Sequence, residues 1–146
     1  LLYKKQLMDH LAADEANNAK NNRKTLEAND DKQQQYDEFL RMEKMVIDRG
    51  LFLQPKLERS DVAKEMGIST SHFNELFARF SDQSFTNFIN DLRMEHAAKL
   101  LKDKSNYTIE AIANECGVPI RQTFYRLFSK KFGMTPAEYR NVVADE

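Results

Sequence analysis

The sequence predicts an all-α fold of about seven helices. Its 146 residues include no Trp, only four Gly and three Pro, and no run of alternating β-branched residues that would indicate strands. Apolar residues instead recur three and four positions apart, which is the spacing of one helix face. The length suffices for one domain with a hydrophobic core, and residues 36–146 carry most of the helical pattern.

Residues 1–35 are predicted to lie outside that domain. Leu7, Met8 and Leu11 form a short apolar stripe, after which Asn, Gln and charged residues dominate. Such a segment buries too little apolar surface to offset the entropy lost on ordering it. We predict a polar linker over 1–35, and the alternative is a polar helix stabilised by something outside the fragment.

From Tyr36 onward the apolar spacing predicts the helices in order. One is expected from Tyr36 to Gly50 and, after Pro55, others over 60–66, 70–80, 84–102, 109–116 and 120–131, with a last one from Pro136. Glycines end several of them, and Thr108 supplies a hydroxyl cap. The inward-facing residues are expected to include, besides the phenylalanines, Val46, Ile47, Leu92, Ala97, Leu100, Leu101, Tyr139 and one of Val142 and Val143.

Two parts of the chain repeat each other. The first match pairs Val62-Ala63-x-Glu65-Met66-Gly67-Ile68 with Ile112-Ala113-x-Glu115-Cys116-Gly117-Val118, at an offset of 50 residues. The second pairs Phe73-Asn74-Glu75-Leu76-Phe77 with Phe124-Tyr125-Arg126-Leu127-Phe128, at an offset of 51. Each copy is a short helix, a glycine turn and a second helix that is apolar on one face.

The repeat predicts two helix-turn-helix units joined by the long linker helix over 84–102. Ala63 and Ala113 allow two helices to cross closely, and a Gly in each turn permits positive φ. The polar face of each second helix is left for base edges in the major groove of DNA. The same geometry also occurs in plain helical bundles, so the alternative is a module that has kept this scaffold and binds protein.

The outward side chains of the two second helices are the predicted DNA contacts. Arg can form two hydrogen bonds with guanine and Gln two with adenine, while Tyr can touch a thymine methyl group or a phosphate. The predicted residues are Thr70, Ser71, His72, Asn74, Glu75 and Arg79 in the first unit, and Arg121, Gln122, Tyr125, Arg126 and Lys130 in the second.

The distribution of charge favours the second unit as the main source of DNA affinity. The net charge is −1, yet residues 117–140 hold five basic side chains against the single acid Glu138. Residues 68–81 hold one side chain of each sign. Because Lys and Arg neutralise phosphates, the positive stretch near the C-terminus indicates the stronger contact.

Catalysis, a cofactor and a metal site are not expected. His10, His72 and His96 share no metal-ligand spacing with each other or with Cys116. The chain has no Gly-rich phosphate loop and no nucleophile–base pair. Cys116 is predicted to be a small buried core residue, and a single Cys fits a reducing cytoplasm.

The chain resembles the AraC family of transcription regulators over residues 38–143. The likeness is strongest in Ile112-Ala113 through Gly117, then Phe124-x-Arg126-x-Phe128, then Phe132-Gly133-Met134-Thr135-Pro136-x-x-Tyr139-Arg140. The segment Leu92-Arg93-Met94-Glu95-x-Ala97-x-x-Leu100-Leu101 is similar to the family's linker helix. This likeness implies two recognition helices that read neighbouring major-groove segments about one turn of DNA apart.

Four positions depart from the family pattern. Val118 stands where an aromatic residue is usual, Pro119 lies in the region where a hydroxyl residue usually caps the following helix, and Arg59 stands where an apolar residue is usual. Ser81-Asp82 replaces the glycine that the second unit keeps at Gly133. These departures leave the expected fold intact, and those at Arg59 and Ser81-Asp82 predict weaker DNA binding by the first unit.

The resemblance implies a bacterial transcription regulator, an activator or a repressor, with double-stranded DNA and RNA polymerase as partners. It also implies a ligand-sensing or dimerising region upstream of residue 36, so that residues 1–35 join copies of the chain. Leu1-Leu2-Tyr3-Lys4-Lys5 could be the cytosolic margin of a membrane helix, which would tether a cytoplasmic regulator to the inner membrane.

Overall fold

The computed structural model describes residues 22–144, which contain seven α-helices and no strand. The predicted all-α class is confirmed. The helices are α1 (Asn22–Asp48), α2 (Arg59–Met66), α3 (Thr70–Phe80), α4 (Phe85–Asp103), α5 (Ile109–Glu115), α6 (Arg121–Phe132) and α7 (Pro136–Ala144). A short 3-10 turn, Leu51–Leu53, follows α1.

Hydroxyl side chains fix where four of these helices begin. Each accepts a hydrogen bond from the backbone N–H three residues later, which satisfies one of the unpaired donors of a helix start. They are Ser69 (3.0 Å), Ser84 (3.1 Å), Thr108 (3.0 Å) and Thr135 (3.2 Å). The predicted cap at Thr108 is therefore confirmed.

Helix α1 begins at Asn22, so the expected start at Tyr36 is wrong. Neither Gly nor Pro occurs between residues 22 and 48, and a helix anchored by buried Tyr36 and Phe39 extends readily, since each further residue adds one hydrogen bond. The predicted inward face is also one residue too wide, because Val46 is buried whereas Ile47 is exposed. Residues 1–21 lie outside the described residues.

The first helix-turn-helix unit combines the described part of the chain up to Lys44 with residues Arg59–Asp82. Its core is aromatic: the ring of Tyr36 lies 5.4 Å from that of Phe80, and the ring of Phe39 lies 6.1 Å from Phe77 and 5.7 Å from Phe80. Ala63 is buried, as expected of a residue at a helix crossing. Helix α1 thus supports the apolar face of α3.

The second unit combines Met45–Glu58 with the part of the chain from Gln83 onward. Helix α4 packs against α5, α6 and α7, so the linker helix forms part of this unit's core. Its buried face differs from the prediction: Leu92 and Leu100 are half-buried, while Arg93, Met94 and Ala98 are buried. The prediction used only the positions of apolar residues. The observed buried face differs because it includes the charged residue Arg93.

Arg93 is buried, and its guanidinium donates to two backbone carbonyl oxygens of the segment after α1. Its Nε donates to the carbonyl oxygen of Phe52 and its Nη2 to that of Gln54, both at 2.6 Å. Burial lowers the pKa of this guanidinium, which is always charged in proteins. The segment after α1 is thereby fastened to α4 next to the second glycine turn.

The two turn glycines both adopt positive φ, 73° at Gly67 and 81° at Gly117, as the repeat predicts. Their surroundings differ. A Cβ at Gly117 would lie 2.6 Å from the carbonyl oxygen of Leu53, whereas no other described residue would come within 4 Å of a Cβ at Gly67.

We expect Gly117→Ala to lower the free energy of unfolding by more than Gly67→Ala. Both variants force a left-handed φ on a residue with a Cβ, at a cost of roughly 1–2 kcal/mol. Only Gly117→Ala adds the clash with Leu53. Urea denaturation of the two variants measures the difference, and equal losses would contradict the close approach of the Leu53 carbonyl.

Candidate DNA interface

The outer face of α6 is formed by the residues predicted for the second unit. Phe124 and Phe128 are fully buried on its inner face. The opposite face presents polar and basic side chains to solvent, with Tyr125 half-buried at its edge. The exposed side chains are Arg121, Gln122, Arg126 and Lys130.

Three of the five basic side chains in residues 117–140 have partners within the second unit. The guanidinium of Arg121 lies 4.9 Å from the ring centroid of Tyr125 and 3.7 Å from Glu110. Arg140 donates to the carbonyl oxygen of Lys104. The Lys131 ammonium lies 3.6 Å from a carboxylate oxygen of each of its two partners, Asp91 and Glu95.

Arg126 and Lys130 are different. Their side chains form no hydrogen bond or ion pair with any described residue, and both are exposed. An Arg with its full set of donors available can bond a guanine or a phosphate without first giving up an internal contact. The usable positive charge of α6 is therefore concentrated at these two positions.

The outer face of α3 is partly occupied by α1. The Nε2 atom of His72 lies 2.8 Å from a carboxylate oxygen of Glu38. Arg79 donates to the side-chain oxygen of Gln35 at 2.8 Å. Both contacts come from the polar side of α1, which the sequence could not place because Gln35 and Glu38 carry no helix-turn-helix signal.

Arg59 engages a third residue of the same face. Its Nη1 donates to the side-chain oxygen of Asn74 at 3.1 Å, and its guanidinium lies 5.4 Å from the centroid of the Phe77 ring. The Arg59 guanidinium thus lies over the Phe77 ring in a cation–π contact. In the repeat, Arg59 corresponds to Ile109 of the second unit. Three of the six predicted residues of α3, namely His72, Asn74 and Arg79, consequently have internal partners.

The two recognition helices also differ in charge at equivalent positions. At the offset of 51 residues, Glu75 corresponds to Arg126 and Thr70 to Arg121. An acidic side chain on a DNA-facing helix repels phosphates but can accept a hydrogen bond from cytosine. The outer face of α3 therefore carries less positive charge than that of α6.

A family model described as a helix-turn-helix domain matches residues 62–141, which include both glycine turns and both recognition helices. The chain belongs to the AraC-type helix-turn-helix family. The resemblance seen in the sequence is thereby confirmed.

Relatives within the AraC-type family are transcription regulators by name. YpdC of Escherichia coli K12, an uncharacterized HTH-type transcriptional regulator, is 35% identical over 88 residues, 60% of this chain and 30% of YpdC. PqrA of Proteus vulgaris, a probable transcription factor, is 31% identical over 104 residues, 67% of this chain and 84% of PqrA.

A solved structure shares the AraC-type fold. The DNA-binding domain of the global transcriptional factor AdpA, in complex with a target DNA, matches with a TM-score of 0.63 at 18% identity, over 73% of this chain and 93% of that domain. Among curated relatives, the chain spans only 24–30% of the length of YpdC and three other regulators.

The other groups considered for chemistry do not form a site in the described part of the chain. Residues 22–144 contain no cluster of His, Cys, Asp or Glu that could hold a metal ion, and His10 lies outside them. The Cys116 thiol is fully buried and donates to the carbonyl oxygen of Ile112 at 3.0 Å. Burial raises its pKa to about 12.

We expect native Cys116 to react with Ellman's reagent far more slowly than the same residue in denatured chain. The thiolate is the reactive form, and at about pH 8 a thiol of such high pKa contains very little of it. The variant Cys116→Ala with Ser71→Cys, which moves the thiol to an exposed position of α3, is the fast-reacting control. Equal rates for the native and denatured parent would place Cys116 at the surface.

Proposed function

We propose that this chain is the DNA-binding output module of a larger transcription regulator and that it recognises specific sequences in double-stranded DNA. The observation that carries the proposal is the outer face of α6, where Arg126 and Lys130 are exposed and lack side-chain partners among residues 22–144. Gln122, also exposed there, adds the donor and acceptor that adenine requires. Helix α6 is the principal recognition helix in this proposal.

Two further features support it. Relatives of the same family are named as transcription regulators, and a domain of the same fold was solved with its target DNA. Because the chain spans less than a third of several regulators, we place a sensing or dimerising region, as in a signal-responsive protein, outside the domain of residues 36–146. RNA polymerase is the proposed further partner at a promoter, and the cytoplasm the proposed location.

Lys130→Ala and Lys131→Ala form a matched pair that tests the role of α6. Both variants remove one positive charge from the same turn, but Lys131 already neutralises Asp91 and Glu95. We expect Lys130→Ala to reduce the slope of log K against log salt concentration by about 1. Lys131→Ala should change that slope less.

Fluorescence anisotropy with a labelled duplex, between about 50 and 200 mM salt, gives both slopes. Equal slopes for the two variants would contradict the assignment of Lys130 as a phosphate contact. Absence of measurable binding to the duplex by the parent, even at the lowest salt concentration, would reject DNA binding and favour a protein-binding module.

Two recognition helices predict two protected stretches of DNA. On a duplex selected for tight binding, hydroxyl-radical cleavage should be suppressed at two places about ten base pairs apart, because successive major-groove segments on one face recur at that interval. Replacing Arg126 by Ala should weaken protection mainly in one stretch. A single protected stretch in the parent would show that only one unit engages.

A further inference from the structure

Helix α6 differs from the helices with hydroxyl caps at its first position. The N-cap residue is Ile120, which makes no side-chain cap hydrogen bond and has φ −84° and ψ 114°. The equivalent residue of the first unit, 51 positions earlier, is Ser69, whose hydroxyl caps α3 at 3.0 Å. Ser84 and Thr108 cap α4 and α5 in the same way.

Ile120 is also the most exposed large apolar side chain of the described residues, with 65% of its surface accessible. One exposed apolar side chain on a surface is ordinary. Ile120, however, occupies the N-cap position of the helix that is proposed to bind DNA. Ser, Thr, Asp and Asn are strongly preferred at that position because their side chains cap the helix. Local rules of this kind are broken mainly at functional sites.

The location restricts what the side chain can contact. The N-terminal residues of a recognition helix approach base edges in the major groove. The side chain of Ile120 has no polar atom for a phosphate or for a base nitrogen or oxygen, whereas the C5-methyl group of thymine is an apolar feature of that groove. Gln122, two residues further along α6, is exposed and can add a polar contact to a neighbouring base.

We propose that Ile120 is a specificity-determining residue that selects a thymine by apolar contact with its C5-methyl group. The proposal rests on the proposed DNA-binding function of α6. It adds a base preference to that function and assigns it to Ile120. The sequence pattern does not single out this residue, because an Ile between Pro119 and Arg121 resembles a core residue. The structure instead leaves this side chain in solvent.

Deoxyuridine provides the test, because it differs from thymidine only by the absence of the methyl group. A duplex is first selected from a random-sequence library by repeated binding to the parent chain. Each dT of the selected site is then replaced singly by dU, and affinities are measured by fluorescence anisotropy. One replacement is expected to weaken parent binding about fourfold, the factor for burying one carbon group.

The variant Ile120→Ser isolates the methyl contact from folding, since it restores the cap found at Ser69. It should unfold at no lower urea concentration than the parent, bind the dU duplex as tightly as the parent does, and show no preference for dT. Val142→Ser, which alters another exposed aliphatic residue of the same unit, is the control and should keep the full preference.

The possible outcomes distinguish a failure of this inference from a failure of the proposed function. Tight, salt-dependent binding by the parent with no sensitivity to any dT-to-dU change overturns the role of Ile120 and leaves DNA binding standing. The role of Ile120 is also overturned if Ile120→Ser keeps the dT preference, or if it loses affinity equally for both duplexes, which would point to a protein or positional role. Failure to select any duplex overturns the proposed function and this inference with it.

Discussion

A recognition helix must bury one face within its own unit and leave the other face without internal partners, because any contact already made inside the protein has to be broken before DNA can replace it. Helix α6 comes closer to this condition than α3: Phe124 and Phe128 are fully buried, and Arg126 and Lys130 are exposed without side-chain partners among the described residues, although Arg121 is paired with Glu110 and Tyr125. Helix α3 meets only the first half of it. Its Phe73 and Phe77 are buried, but Glu38 and Gln35 of α1 hold His72 and Arg79.

This difference follows from how each unit obtains its core. The core of the first unit includes Tyr36 and Phe39 of α1, and the polar residues that precede them, Gln35 and Glu38, contact α3. The second unit is closed by α4 and by the segment after α1, which Arg93 fastens through the carbonyl oxygens of Phe52 and Gln54. In this arrangement Arg126 and Lys130, on the outer face of α6, remain exposed.

Much of the fold follows from the sequence because periodicity and glycine turns are local signals. The repeat located both turns, and the expected limits of α3 agree with those observed. Arg93 could not be found in this way, since its burial depends on carbonyl groups about forty residues away in the chain. The start of α1 was missed because a polar helix has no apolar stripe in its first turns and depends on tertiary anchoring at Tyr36.

The candidate site was only partly predictable for the same reason. The sequence placed the eleven outward positions on two helices, but side-chain partners such as Asn74 with Arg59 and Lys131 with Asp91 arise from tertiary packing. These partners decide which cations remain available. Ile120 illustrates a second reason why the site was only partly predictable. An apolar residue next to a turn cannot be distinguished from a core residue until its exposure is known.

The unequal roles of the two recognition helices are tested most directly by the affinities of Arg126→Ala and Arg79→Ala for one selected duplex. Each variant removes one guanidinium from a helix that is proposed to face DNA, but Arg79 is already hydrogen-bonded to Gln35 whereas Arg126 is not. The predicted result is a loss of roughly 1–3 kcal/mol of binding free energy for Arg126→Ala and a clearly smaller loss for Arg79→Ala. A larger loss for Arg79→Ala would contradict the assignment of α6 as the principal recognition helix.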